Sequence, residues 1–173
     1  MSKSTYIALG SNLGNQEENL CMAAAELQKI SLTPLVASSI WWSKPEGFDE
    51  DVAEFCNALV AAEVEISAEE LLARLQEIER QLGRTRRKSG SYQSRIIDLD
   101  IIDYDLSVYK TEGLQLPHPR AASRRFVLLP LQEVAPEYYF PDLEHSPANS
   151  LEALIEMAPG NPMRKSIPLN PLA

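Results

Sequence analysis

The sequence predicts an α+β fold in which strands and helices alternate as β-α-β-β-α-β, with a further strand and helices after that core. Three observations carry this. Leu20, Ala24, Leu27 and Ile30, and later Leu71, Leu75, Ile78 and Leu82, recur at helical spacing. Four runs rich in apolar or β-branched residues read as strands. Glycine and proline punctuate the boundaries between these segments.

Taken in order, Thr5 to Leu9 reads as a buried strand. It ends in Gly10-Ser11-Asn12-Leu13-Gly14-Asn15, a structural turn that lacks the Gly-Lys-Ser/Thr ending of a phosphate loop. Asn15 and Glu18 have the spacing of a helix cap. Pro34 breaks the helical pattern, and Leu35 to Trp42 reads as the second strand. Residues 43–54 are polar and aperiodic, a long loop of the kind that carries function. Phe55 to Glu65 is the third strand. Ser67 and Glu70 have capping-box spacing at the start of the second helix, and Gly83 closes it in a left-handed cap. A basic loop runs from Arg84 to Ser94, then Arg95 to Asp103 reads as the fourth strand. The order is the ferredoxin-like split βαβ pattern. Leu114 to Pro117 is a short extended piece; Arg124 to Val134 reads as a helix that Pro130 strains or ends. Ser150 to Met157 is a closing helix, and the proline-rich residues 159–173 are expected to run over the surface. With no repeat and no linker, residues 1–173 are expected to form one domain, a monomer.

The chain has 173 residues, 45% of them hydrophobic, enough for one globular core and too many for a disordered chain. No apolar run approaches the roughly 20 residues of a membrane-spanning helix, and Met1-Ser2-Lys3-Ser4 leads into a strand rather than a secretory signal. Cys21 and Cys56 sit in apolar stretches as buried free thiols, so a reducing cytoplasm is expected. The net charge of -9 argues against nucleic acid and anionic membranes as partners. The bases are nevertheless gathered: Arg80, Arg84, Arg86, Arg87, Lys88 and Arg95 fall in a stretch without acids, and Arg120, Arg124 and Arg125 form a second group. Such a basic pocket on an acidic body suits a small, highly charged anion; a solvated surface is the other reading.

The sharpest local feature is Asp98-Leu99-Asp100. Residues two apart in a strand share a face, so the carboxylates point the same way with Cα atoms about 6–7 Å apart, while Ile97, Leu99 and Ile101 face the core. Two such anions either hold a hard cation, Mg²⁺ above others, or pair with arginines on a solvated face. Arginines just upstream favour the first, because carboxylates for metal beside guanidiniums for phosphate is the layout of phosphoryl transfer. Gln76 and Glu79, three apart on the second helix, either reach a nucleotide or form an exposed polar face. His118, stiffened by Pro117 and Pro119, either touches a phosphate near Arg124 or sits in a surface turn. Phe55 and Asn57 leave one strand on the same face, as a ring and an amide that could hold a flat heterocycle, with Phe126 as a second ring.

Six stretches fall together in order: Ala8-Leu9-Gly10-Ser11-Asn12-Leu13-Gly14, Phe55-Cys56-Asn57-Ala58, Gly83-Arg84-x-Arg86, Arg95-Ile96-Ile97-Asp98-Leu99-Asp100-Ile101, Leu116-Pro117-His118-Pro119 and Arg124-Arg125-Phe126-Val127-Leu128-Leu129-Pro130-Leu131. Over about residues 5 to 143 the chain resembles 6-hydroxymethyl-7,8-dihydropterin pyrophosphokinase, an enzyme of folate synthesis. The resemblance implies transfer of pyrophosphate from ATP to the pterin hydroxymethyl group, leaving AMP. It implies that Asp98 and Asp100 bind two Mg²⁺ ions, and that Arg84, Arg86, Arg95, His118, Arg124, Gln76 and Glu79 line the ATP site, with Arg84 and Arg95 acting alongside the aspartates in catalysis. It implies a pterin site of Ser43, Pro45, Phe55, Asn57, Tyr92 and Phe126 under two closing loops. Two loops depart from the family's usual pattern. Ser91-Tyr92-Gln93-Ser94-Arg95 stands where Trp-Gly-Pro-Arg is usual, and Ser43-Lys44-Pro45-Glu46-Gly47 carries a charge before its glycine. A relative that binds such ligands without turnover is the alternative these changes leave open.

Overall fold

Strand β1 (Lys3–Ser11) has Ile7 and Leu9 on one face and Tyr6, Ala8 and Gly10 on the other, and each face meets a different layer. The structure, a computed structural model, describes residues 1–45, 53–83, 95–143, 145–146 and 148–171. Helix α1 (Gln16–Gln28) follows β1; β2 (Val36–Ala37), β3 (Ser39–Ser43) and β4 (Phe55–Val64) come next. Helix α2 (Ala68–Gln81) and β5 (Asp98–Tyr104) complete the core. Beyond it lie β6 (Tyr109–Lys110), β7 (Gln115–Leu116), α3 (Arg125–Val134), α4 (Leu151–Met157) and β8 (Arg164–Pro168).

The large sheet has the order β5-β1-β4-β3-β8, with β2 also on β4, and every pair is antiparallel. Its first four members reproduce the expected ferredoxin-like core, and β8 extends it. Helices α1 and α2 cover one face over Ile7, Leu9, Leu20, Leu27, Leu71, Leu75, Ile97 and Leu99. Helices α3 and α4 cover the other over Leu59, Ile102, Val127, Leu128, Leu131 and Phe140.

The caps form where the spacing predicts them. Asn15 accepts from the Glu18 N–H and Ser67 from the Glu70 N–H at 3.2 Å. Gly83 follows α2 with φ of +94°, the left-handed region that favours glycine, and a Cβ there would meet Ile96 at 3.3 Å.

Four expectations are corrected. The second strand is broken at Ser38, whose Oγ accepts from the Leu59 N–H at 2.9 Å and so takes over one ladder bond from the backbone. The fourth strand begins at Asp98 rather than Arg95, because the Arg95 backbone is bonded to Asn12 instead of continuing the ladder. Pro130 does not end α3: Val127, Leu128 and Leu131 are buried against the sheet, and that burial outweighs the one backbone bond the ring removes. The tail stays largely exposed, yet it forms strand β8 on β3 and buries Leu169.

Leu75 is fully buried on α2. Leu75→Ala is expected to cost about 2–5 kcal/mol in urea unfolding, and Ser67→Ala about 1 kcal/mol. Equal losses for the two would contradict this placement of the core.

Candidate active site

One end of the sheet face toward α3 gathers the predicted polar residues. Asp98 and Asp100 point to this face, while Ile97, Leu99 and Ile101 are buried on the other. Pairing in register places Gly10 opposite Asp98 on one side and opposite Asn57 on the other. Ala8 faces Asp100. The carboxylates and the Asn57 amide therefore stand on either side of a position with no side chain.

The carboxylate strand is held from both sides. Glu79 reaches from α2 and accepts from the Leu99 N–H at 2.8 Å, between the two aspartates. β5 ends the sheet, so this donor faces away from β1 and needs a partner other than a strand. Asn12 braces Arg95: its Oδ1 accepts from the Arg95 N–H at 2.6 Å, and its own N–H donates to the Arg95 carbonyl at 3.1 Å. The Arg95 guanidinium donates to Asp98 Oδ2 at 3.0 Å.

On the neighbouring strands, Asn57 is buried, and its Nδ2 donates to the Trp41 carbonyl at 3.1 Å and Ser43 Oγ at 2.8 Å. With the nitrogen committed, Oδ1 is the atom turned toward Gly10, 3.7 Å from where a Cβ would sit. Ser43 pairs with Phe55, and Pro45 follows half-buried, so β3 and β4 form one wall.

His118 arrives from the segment after β7, its N–H donating to the Ile102 carbonyl at 2.8 Å on β5. Its Nδ1 accepts from the Arg120 N–H at 3.2 Å, which leaves the proton on Nε2. Burial, then the charges of Arg124 and Arg120, push its pKa down to about 4, so the ring is a neutral donor at pH 7. Arg124 caps α3, and its guanidinium lies 5.3 Å from the centre of the half-buried Phe126 ring.

The structure thus brings Asp98, Asp100, Arg95, His118, Arg124, Phe55, Asn57, Ser43 and Phe126 onto or around one sheet face. Gln76 and Glu79 part company: Gln76 is exposed, whereas Glu79 is buried against β5. Their three-residue spacing leaves a rotation between them, and the apolar stripe of α2 takes Glu79 inward with it. Arg84, Arg86 and Tyr92 lie outside the described residues, as do Glu46 and Gly47. Gly10 and Asn12 act as more than a turn, because only the register shows what they face. Ser39 and Trp41, both donating to Glu133, carried no motif that could have drawn attention to them, and neither did Glu133.

Paired carboxylates, an arginine and an amide-lined wall on an α+β sheet are the equipment of a phosphotransferase domain. A family model described as 7,8-dihydro-6-hydroxymethylpterin-pyrophosphokinase (HPPK) matches residues 6–136, and the chain belongs to that family. The 2-amino-4-hydroxy-6-hydroxymethyldihydropteridine pyrophosphokinase of Bacillus subtilis is 42% identical over 135 residues, covering 78% of this chain and 79% of that protein. The protein of the same name from Haemophilus influenzae is 39% identical over 138 residues, covering 79% and 84%. Among solved structures, Plasmodium falciparum HPPK-DHPS has the same fold, with a TM-score of 0.67, 14% identity and coverage of 90% of this chain. This chain spans only 43% of that one.

The depressed His118 pKa has a definite sign. Below about pH 6.5 the unfolded chain takes up a proton that the folded one refuses until about pH 4, so stability falls as pH drops through that window. In the ligand-free protein, His118→Gln should flatten the dependence of the urea midpoint on pH between those limits. An unchanged slope would show that His118 takes up its proton as readily in the fold as in the unfolded chain.

Proposed function

We propose that this chain transfers the β,γ-diphosphoryl group of ATP to the hydroxymethyl oxygen of 6-hydroxymethyl-7,8-dihydropterin, leaving AMP, as a step of folate synthesis. The observation that carries this is the register of Gly10 between Asn57 and Asp98. Two strand spacings separate those residues, about 10 Å. A bicyclic heterocycle whose donor edge meets Asn57 Oδ1 extends across the bare glycine and delivers its exocyclic hydroxyl to the carboxylates. Ser43, Pro45 and Phe55 would wall that seat from β3 and β4, and Phe126 would close it from α3. Tyr92, outside the described residues, is assigned to the same seat on the resemblance alone.

The donors suit magnesium. Asp98 and Asp100 offer carboxylate oxygens, and among the described residues no group of three His, Cys, Asp or Glu is assembled, so water and phosphate oxygens would fill the remaining positions. Two Mg²⁺ ions held there would neutralise charge on the triphosphate. Arg95 would turn from Asp98 to a phosphate, and His118 Nε2–H and Arg124 would donate from the α3 side. Arg84, Arg86 and the exposed Gln76 would reach the nucleotide from the α2 side. Glu79 would serve by holding Leu99, and through it both carboxylates. As the oxygen–phosphorus bond to the pterin forms, the bridge between the α- and β-phosphates breaks, and the hydroxyl proton leaves to a carboxylate or water. No covalent intermediate is needed; positioning and neutralisation supply the rate.

The protein with ATP, Mg²⁺ and the pterin should release AMP; ADP instead, or binding without turnover, would reject the proposal. Asp98→Asn and Asp100→Asn should each lower kcat by about 100-fold or more with the fold intact by circular dichroism. Phe126→Ala should raise the pterin KM on the order of tenfold and leave the ATP KM near that of the parent.

A further inference from the structure

Strand β8 lies beyond the residues matched by the family, and it is tied to the heterocycle side of the sheet. Lys165 pairs with Trp41 and Arg164 with Trp42 across the β3–β8 ladder. The Lys165 ammonium lies 5.6 Å from the Trp41 ring centre and 3.2 Å from Glu133 Oε2. Arg164 lies 5.4 Å from the Trp42 ring centre.

Glu133 belongs to α3, yet its partners belong to other elements. It accepts from Trp41 Nε1, from Ser39 Oγ at 2.9 Å and from the Ser39 N–H at 3.3 Å, all on β3, as well as from Lys165 on β8. Burial acts to raise its pKa, but the bonds from Trp41, Ser39 and Lys165 outweigh that and hold it below the usual carboxylate range. Glu133 is therefore ionised at neutral pH and its charge is matched by Lys165. Each of the two elements that Glu133 joins also carries a side of the substrate seat. On β3 the Trp41 carbonyl and Ser43 Oγ hold the Asn57 amide; on α3 stands Phe126.

We propose that Glu133 and Lys165 are a positioning pair that sets affinity for the heterocyclic substrate by fixing the separation between the Asn57 wall and Phe126. Glu133 ties α3 to β3, and Lys165 holds the carboxylate and the Trp41 ring in one arrangement from the added edge strand. Neither residue touches substrate. The inference rests on the reading of Asn57 and Phe126 as two sides of the pterin seat.

The test is steady-state kinetics on the full chain. Lys165 is half exposed, so Lys165→Met removes the charge without emptying a core. It is expected to raise the pterin KM about 3- to 10-fold, with kcat and the ATP KM within about twofold of the parent. Lys165→Arg should restore the pterin KM. Glu133→Gln should raise it at least as far, and adding Lys165→Met to that variant should raise it no further. A pterin KM untouched by Lys165→Met, or a rise shared equally by both substrates, would overturn the pairing. If Phe126→Ala raises the pterin KM and Lys165→Met does not, the pairing alone fails; if neither does, the seat itself is elsewhere.

Discussion

Gly10 faces Asn57 and Asp98 because β1 runs antiparallel between β4 and β5 in one register, and the whole candidate site is arranged around that register. Side chains on a strand alternate, so a slip of one residue would turn Ile7 and Leu9 out of the α1–α2 core and put Leu9 where Gly10 stands. The cost of exposing that core locks the register, and the register in turn spaces the amide and the carboxylates. Core packing and the spacing of the polar residues on the opposite face are thus set by the same alternation.

The acidic residues of β5 show how local geometry separates half-buried carboxylates from fully buried ones. Asp98 and Asp100 are half-buried, with Arg95 bonded to Asp98. Asp103 is buried, accepting from the Tyr138 hydroxyl at 3.0 Å and the Leu106 N–H at 2.9 Å, and burial raises its pKa. A bulge at Ile102, between the pairs Ile7–Ile101 and Tyr6–Asp103, turns Asp103 toward the α3 layer. One strand therefore carries a satisfied internal carboxylate near its end and a half-buried pair at its start. His118, whose N–H donates to the Ile102 carbonyl, is neutral for a related reason: burial and two arginines disfavour its charge.

The family span stops at residue 136, but the sheet does not. Strand β8 adds ladder bonds to β3, covers Trp41 and Trp42 with cations, and buries Leu169 in the α1–α2 core. An edge strand carrying Arg164 and Lys165 also blunts the open edge it creates. Strand β8 thus braces β3 from beyond the residues that the family model matches.

By itself the sequence determined the alternation of elements, the capped ends of α1 and α2, and the shared face of Asp98 and Asp100, because each depends on neighbours a few residues apart. The helical stripe of α2, Asn15, Ser67 and Gly83 are all local signals of this kind. Tertiary structure alone decided what those residues meet. Glu79 looks like a surface residue until α2 is laid on β5, and Glu133 has no meaning until α3, β3 and β8 converge on it. Gly10 reads as a turn until its two neighbouring strands are placed. Pro130 stays helical, against its local preference, because the burial of Val127, Leu128 and Leu131 outweighs a single lost bond. Contacts between residues distant in the chain depend on register and packing, which are set by the summed burial of the whole core rather than by any short stretch of sequence.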